Sequence, residues 1–275
     1  MKNIFFKTII ATSFSFIIIS CEDVIDVKLD KGIEKLSVDA ELTTFPGPYE
    51  VKLSLTAPYF NNVANPTVSG AVVIISDSEG NVDTLIEKKA GTYITTSIQG
   101  IVGREYTLTI KSAGQEYIAK TVINRITTID SLYSKFVENE LGFDDGFYVY
   151  TNVQEPSGKG DYFRFRAYKN DTLFNQTSDL FYTSDIFVDG NYIEEQEIAF
   201  KSYKKGDKAK LQILSITEDA YYFYDEVFNQ TSGGGLFADP PANVRTNIFN
   251  KNPKGTAATG YFFGSAVSEM EIIVE

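Results

Sequence analysis

From residue 36 onward, apolar and polar residues alternate along much of the chain. Leu36, Val38, Ala40 and Leu42 fall on one face while Ser37, Asp39 and Glu41 fall on the other, the period-two pattern of a half-buried strand. Val51, Leu53 and Leu55 repeat it after the Pro46-Gly47-Pro48 break, and Ala71 to Ile75 is an apolar run closed by the turn cluster Asp77-Ser78-Glu79-Gly80. Tyr106, Leu108 and Ile110 alternate with Thr107, Thr109 and Lys111, and Tyr117 to Val122 follows across Ser112-Ala113-Gly114-Gln115. Short strands at this spacing predict an antiparallel sandwich of immunoglobulin or transthyretin type over 36–125. The glycines ahead of Tyr93 and Tyr106, Gly91 and Gly103, predict tight turns into strands whose tyrosines cover that core.

Residues 126–145 read as a connector. A second β-rich domain is expected over 126–275, with paired strands at Phe147–Val153 and Tyr162–Lys169 around Glu155-Pro156-Ser157-Gly158-Lys159-Gly160. Ile186-Phe187-Val188 and Tyr192-Ile193 flank Asp189-Gly190-Asn191, a hairpin signal, and Leu211–Ile216 is a further strand. The period then changes. Ala220, Phe223, Tyr224, Val227 and Phe228 form one apolar face at helical spacing, predicting a single packed helix near 217–230. Ser215 with Glu218 has capping-box spacing, and Thr217 is an equally good cap. The helix stops before Gly233-Gly234-Gly235, and the tail returns to strand through Phe262, Gly264 and Ala266. The fold class is all-β, in two β-rich domains.

The first twenty residues follow a different rule. Met1-Lys2-Asn3 precedes a short apolar run that ends in Ile18-Ile19-Ser20-Cys21, the plan of a secretory signal peptide. Its last four residues resemble the lipobox of bacterial lipoproteins, so 1–20 is expected to be removed. Cys21 would then carry a diacylglyceryl group, and 21–35 would form a charged tether. Lipid anchoring without a spanning helix is the expected tie to the membrane. The chain's net charge of −12 argues against nucleic-acid binding.

Absences narrow the chemistry. The chain has no histidine and no cysteine besides Cys21, which removes Ser-His-Asp and Cys-His catalysis and the common zinc sites. No catalytic residue, cofactor or metal is assigned from the sequence. Asp144-Asp145 and Glu194-Glu195-Gln196-Glu197 lack the spacing of a calcium loop. The best binding candidate is the stretch 233–253, with Asp239, Asn243, Arg245 and Asn247 as its polar contacts; Arg245 has the forked donors that suit a carboxylate. Substituting Arg245 is expected to weaken binding and leave folding intact.

Several fragments in order resemble one family. Besides the lipobox with its following Glu22 and Asp23, these are Gly70-Ala71-Val72-Val73-Ile74, Gly91-Thr92-Tyr93 and Gly103-Arg104-Glu105-Tyr106-Thr107-Leu108. Gly235 to Ile248 and Gly260-Tyr261-Phe262-Phe263-Gly264 complete the set. The chain is similar to the Bacteroidota lipoproteins carrying domain of unknown function 4249. That resemblance implies a lipid-anchored outer-membrane lipoprotein of a kind often encoded beside TonB-dependent transporters, which makes such a transporter the candidate partner; the acids after Cys21 favour the cell surface, with a periplasm-facing position as the alternative, and no activity is implied. The expected role is a non-catalytic accessory or ligand-binding protein. The alternatives are a carboxylate-dependent hydrolase of extracellular glycans and an adhesion or envelope-structural module.

Overall fold

A computed structural model describes residues 32–57, 64–138, 141, 144–199, 201–232 and 242–275. Glu34–Glu275 form one compact unit. The expected signal peptide, Cys21, most of the expected tether and Asp239 lie outside the described residues.

The N-terminal part supplies eight strands: β1 (Leu36–Thr43), β2 (Glu50–Leu55), β3 (Val72–Asp77), β4 (Val82–Thr84), β5 (Ile86–Lys89), β6 (Thr92–Ile94), β7 (Glu105–Ser112) and β8 (Gln115–Val122). The remainder supplies β9 (Thr128–Val137), β10 (Gly146–Gln154), β11 (Tyr162–Lys169), β12 (Thr172–Leu173), β13 (Phe181–Ser184), β14 (Tyr192–Glu197) and β15 (Lys208–Ile216). The helix α1 (Glu218–Ser232) follows, then β16 (Ile248–Asn250), β17 (Ala258–Ser265) and β18 (Val267–Ile273). The expected class, all-β with one packed helix, is what the chain adopts.

In the first sandwich, a sheet ordered β17-β1-β2-β6-β5 faces one ordered β16-β8-β7-β3-β4. Val38, Leu42, Leu53, Ile75, Leu108 and Phe262 are buried between them, each at 1 % exposure or less. Each such side chain contributes roughly 1.5–3 kcal/mol by leaving water. Tyr93 and Tyr106 are buried as expected after Gly91 and Gly103, both at positive φ. Their hydroxyls donate to the carbonyls of Val68 (2.9 Å) and Gln99 (3.0 Å).

The tail departs from the expected split at residue 125. β16 pairs with β8, and β17 runs parallel to β1 from Leu36↔Ala258 to Thr43↔Ser265, so the first sandwich is not purely antiparallel. Gly260 makes that pairing possible. Its φ is +91°, and a Cβ there would lie 1.9 Å from the Val38 carbonyl oxygen.

In the second sandwich, β14-β10-β9 packs on a sheet running β12-β11-β15-β18, with β13 also paired to β11. The expected connector 126–145 thus contains a complete strand, β9. A register shift opposite Asn152 and Val153 leaves Asp130 as a bulge, so Ile129 and Leu132 both reach the core and the alternation is broken. The expected hairpin around Asp189-Gly190-Asn191 is also absent: Ile186–Gly190 is a turn, and β14 pairs with β10. The Asp185 carboxylate accepts the N–H groups of Gly160 (2.8 Å) and Asp161 (3.1 Å), which ties the start of this turn to another loop.

A single residue, Ala266, separates β17 in the first sandwich from β18 in the second. Ala266 N–H donates to Ser215 Oγ, Ser215 N–H donates to the Ala266 carbonyl, and Ser215 Oγ–H donates to the Asn124 carbonyl, each at 2.9 Å. Arg166 of β11 reaches Glu41 of β1 through a forked pair at 2.6 and 2.9 Å. Burial opposes the guanidinium charge, but the Glu41 carboxylate outweighs it and holds Arg166 firmly charged.

Candidate functional site

Helix α1 covers the outer face of the β11-containing sheet, and one of the residues nominated from the sequence, Arg245, lies against it. Thr217 is its cap: Thr217 Oγ1 accepts the Ala220 N–H at 3.1 Å. Ser215, the alternative, is occupied at the Ala266 junction. The apolar face packs as expected, with Ala220 and Tyr224 buried and Phe223 partly so, in a layer shared with Ile216, Tyr162, Tyr182, Tyr261 and Phe263. Tyr224 stacks on Phe263 with ring centres 5.2 Å apart and planes inclined by 10°.

Another side of the same helix receives Arg245. Its backbone N–H donates to Glu226 Oε2 (2.6 Å), its Nε to Glu226 Oε1 (2.9 Å) and its Nη1 to Asp219 Oδ1 (3.0 Å). The guanidinium also lies 4.9 Å from the Tyr222 ring centre. Hydrogen bonding to Glu226 and Asp219 holds Arg245 charged. Tyr261 Oη–H completes the group by donating to Asp219 Oδ2 at 2.6 Å. The fork does find carboxylates, but they belong to its own helix. Arg245 therefore clamps 242–247 onto α1.

Asn247 is buried. Its Nδ2 donates to the carbonyls of Lys120 (3.1 Å) and Phe262 (2.9 Å), and its Oδ1 accepts the Phe262 N–H (2.9 Å), stitching β8 to β17. Asn243 is exposed. Among the described nominees, Arg245 and Asn247 hold the fold together.

A cavity of about 210 Å³ lies on the sheet side of α1, lined by Arg164 and Arg166 of β11, Tyr224 and Val227 of α1, and Gln176 and Thr177 of the turn before β13. Arg166 is neutralised by Glu41. Among the described residues Arg164 has no carboxylate partner; its Nη1 donates to Tyr224 Oη at 2.6 Å and its guanidinium carbon lies 4.6 Å from that ring centre. The Nε groups of both arginines are buried without an acceptor. Asp179 also lines the cavity, but Lys201 pairs with it at 2.7 Å, so the charge left without an ionic partner there is that of Arg164.

A third group gathers where strands end. Glu155 follows β10, Asp161 precedes β11 and Asp185 follows β13. Each offers one carboxylate oxygen to a set lying within 4.8 Å of one another. Burial, reinforced by Asp161, Asp185 and Asp189, pushes the Glu155 carboxyl above the ordinary glutamate range despite the Gly190 N–H. The acids singled out in the sequence, at 144–145 and 194–197, are not the ones brought together; Glu195, for example, pairs with Lys135 at 2.6 Å. The loop Glu155–Asp161 reads locally as a turn, and only the strand pairing brings Asp185 to it.

Residues 22–271 match the domain of unknown function DUF4249. The chain belongs to the DUF4249 family. No curated protein sequence matches it. In this DUF4249 protein, the fragments that carried the resemblance have structural roles where described: Gly260 admits β1 beside β17, and a Cβ on Gly264 would lie 2.7 Å from the Thr121 methyl. Among the described residues of the DUF4249 unit, no helix is long and apolar enough to cross a membrane.

Proposed function

We propose that the protein is a non-catalytic outer-membrane lipoprotein of the Bacteroidota, anchored through Cys21, that binds a small anionic ligand beside a TonB-dependent transporter. The observation that carries the binding role is the α1 cavity. An arginine without a carboxylate partner, backed by a tyrosine and by two Nε–H groups lacking acceptors, is a ready partner for a carboxylate or phosphate. The lipobox-like Ile18-Ile19-Ser20-Cys21 supports the anchor, and the resemblance to Bacteroidota lipoproteins supports the envelope setting. The hydrolase alternative is less well supported: Glu155, Asp161 and Asp185 are buried, with Arg125 bound to Asp161, instead of flanking a cleft that admits a sugar ring.

Co-purification of the full-length protein from native outer membranes in gentle detergent tests the partnership. A TonB-dependent transporter should be recovered, and recovery of none would overturn the accessory role. In the same preparation, Arg164→Ala should stay folded, with a lowered unfolding temperature from the lost Tyr224 contact, while weakening succinate or inorganic phosphate binding roughly tenfold to a hundredfold. Unchanged affinity would remove this cavity as the ligand site.

A further inference from the structure

Glu155, Asp161 and Asp185 are 2, 6 and 3 % exposed, so three carboxylates converge where water scarcely reaches. The positive charge bound directly to this group is Arg125. Its Nε and Nη2 go to Asp161, with contacts of 2.6–3.1 Å. Nη1 also donates to the carbonyl of Ser157 (3.0 Å), and Nη2 to those of Pro156 (3.3 Å) and Gly158. Neither Glu155 nor Asp185 receives a hydrogen bond from it. Asp185 Oδ2 accepts the Gly160 and Asp161 N–H groups, and Glu155 Oε2 accepts the Gly190 N–H at 2.6 Å. Glu155 Oε1 is buried with no hydrogen-bond partner. Three carboxylates against one guanidinium leave an excess of negative charge, and a buried carboxylate oxygen without a partner is unfavourable.

We propose that this cluster is a calcium site in which Glu155, Asp161 and Asp185 are direct ligands. The donors are all hard oxygens, which suits calcium or magnesium over zinc or copper. A divalent ion cancels the residual charge and supplies the contact that Glu155 Oε1 lacks. The three oxygens lie within 4.8 Å of one another, close enough to share one ion. Calcium tolerates an irregular set of carboxylates, whereas magnesium demands near-ideal octahedral geometry and gives up its waters reluctantly, which favours calcium. Asp189 stands at the rim, where its Oδ1 accepts the Gly158 N–H at 2.6 Å, and the Arg125 side chain beside it is 44 % exposed.

The test uses full-length protein in detergent, stripped with chelator and titrated with calcium chloride or magnesium chloride by calorimetry and thermal unfolding. Calcium should bind at one site with a dissociation constant on the order of 10⁻⁴–10⁻³ M. At hundredfold excess it should raise the unfolding temperature by about 5–10 °C. Magnesium should give a markedly smaller shift. Glu155→Gln keeps the shape and removes one charge, so it should fold normally in chelator and lose at least tenfold in calcium affinity. Asp185→Asn should do the same. No calcium response in the wild type would overturn the site, as would an equal magnesium response. A response that survives both substitutions would also overturn it, by placing the ion elsewhere.

Discussion

Asp83 in the first sandwich and Glu155 in the second are each 2 % exposed, yet the chain treats them in opposite ways. Asp83 accepts the N–H groups of Thr96, Ser97 and Ile98 at 2.8–3.0 Å and the Thr96 hydroxyl at 2.6 Å. Burial works to raise its proton affinity, but the Thr96 hydroxyl and these three amides outweigh it and hold the carboxyl below the ordinary aspartate range. Glu155 receives one N–H and has three acids for neighbours, and its carboxyl is pushed the other way. At this position the first sandwich satisfies its buried charge from its own backbone, which is the mark of a scaffold. The second leaves an acid short of donors and, beside α1, an arginine short of an acceptor. Equal burial with unequal satisfaction separates a structural carboxylate from one that awaits a ligand.

The sharpest way to break this contrast is to disturb the scaffold where it borrows a strand. Gly260→Ala places a methyl group against the Val38 carbonyl at a positive φ, and should cost about 3–5 kcal/mol. Urea unfolding should show the loss in a single transition, because Ala266 couples both sandwiches; two separated transitions would mean that the halves stand independently. Asp83→Ala comes next, at about 2–3 kcal/mol, since it strands four donors, among them the buried Ile98 N–H. The folded value of Asp83 lies below its ordinary 3.8, so its contribution is complete above about pH 4 and fades as pH falls further. The gap between wild type and Asp83→Ala should therefore be constant from about pH 8 to 5 and close in acid; a gap that widens in acid would refute this account. The smallest effect belongs to Arg245→Ala. Its guanidinium is one-third exposed, so the loss should be about 1 kcal/mol and confined to α1. Hydrogen exchange should quicken in α1 while the Val38 and Leu108 amides stay protected; uniform quickening would mean that the clamp supports both cores.

Local periodicity carried the scaffold as far as residue 125, because a half-buried strand writes its own alternation. The same reading found α1 through its aromatic stripe. It lost β9, where the bulge at Asp130 puts Ile129 and Leu132 on one side, and it could not see β17 beside β1, because parallel pairing across the whole chain leaves no local mark. The sites follow the same division. Arg245 was legible as a forked donor, but its acceptors, Glu226 and Asp219, lie on a helix whose orientation only the folded chain sets. Glu155, Asp161 and Asp185 sit at three strand ends, and sheet pairing, not spacing, brings them together. Asp239 and Cys21 fall outside the described residues.

The parallel partnership of β1 with β17 also fixes an order of events during synthesis. β1 emerges among the first segments of the folded unit and its outer neighbour among the last, so while the intervening chain is made β1 has β2 on one side and an open row of N–H and C=O groups on the other. Edges of that kind invite pairing with foreign chains. A nascent or truncated chain lacking 258–265 is thus an aggregation hazard, and completion at the C-terminus is what makes the N-terminal half safe.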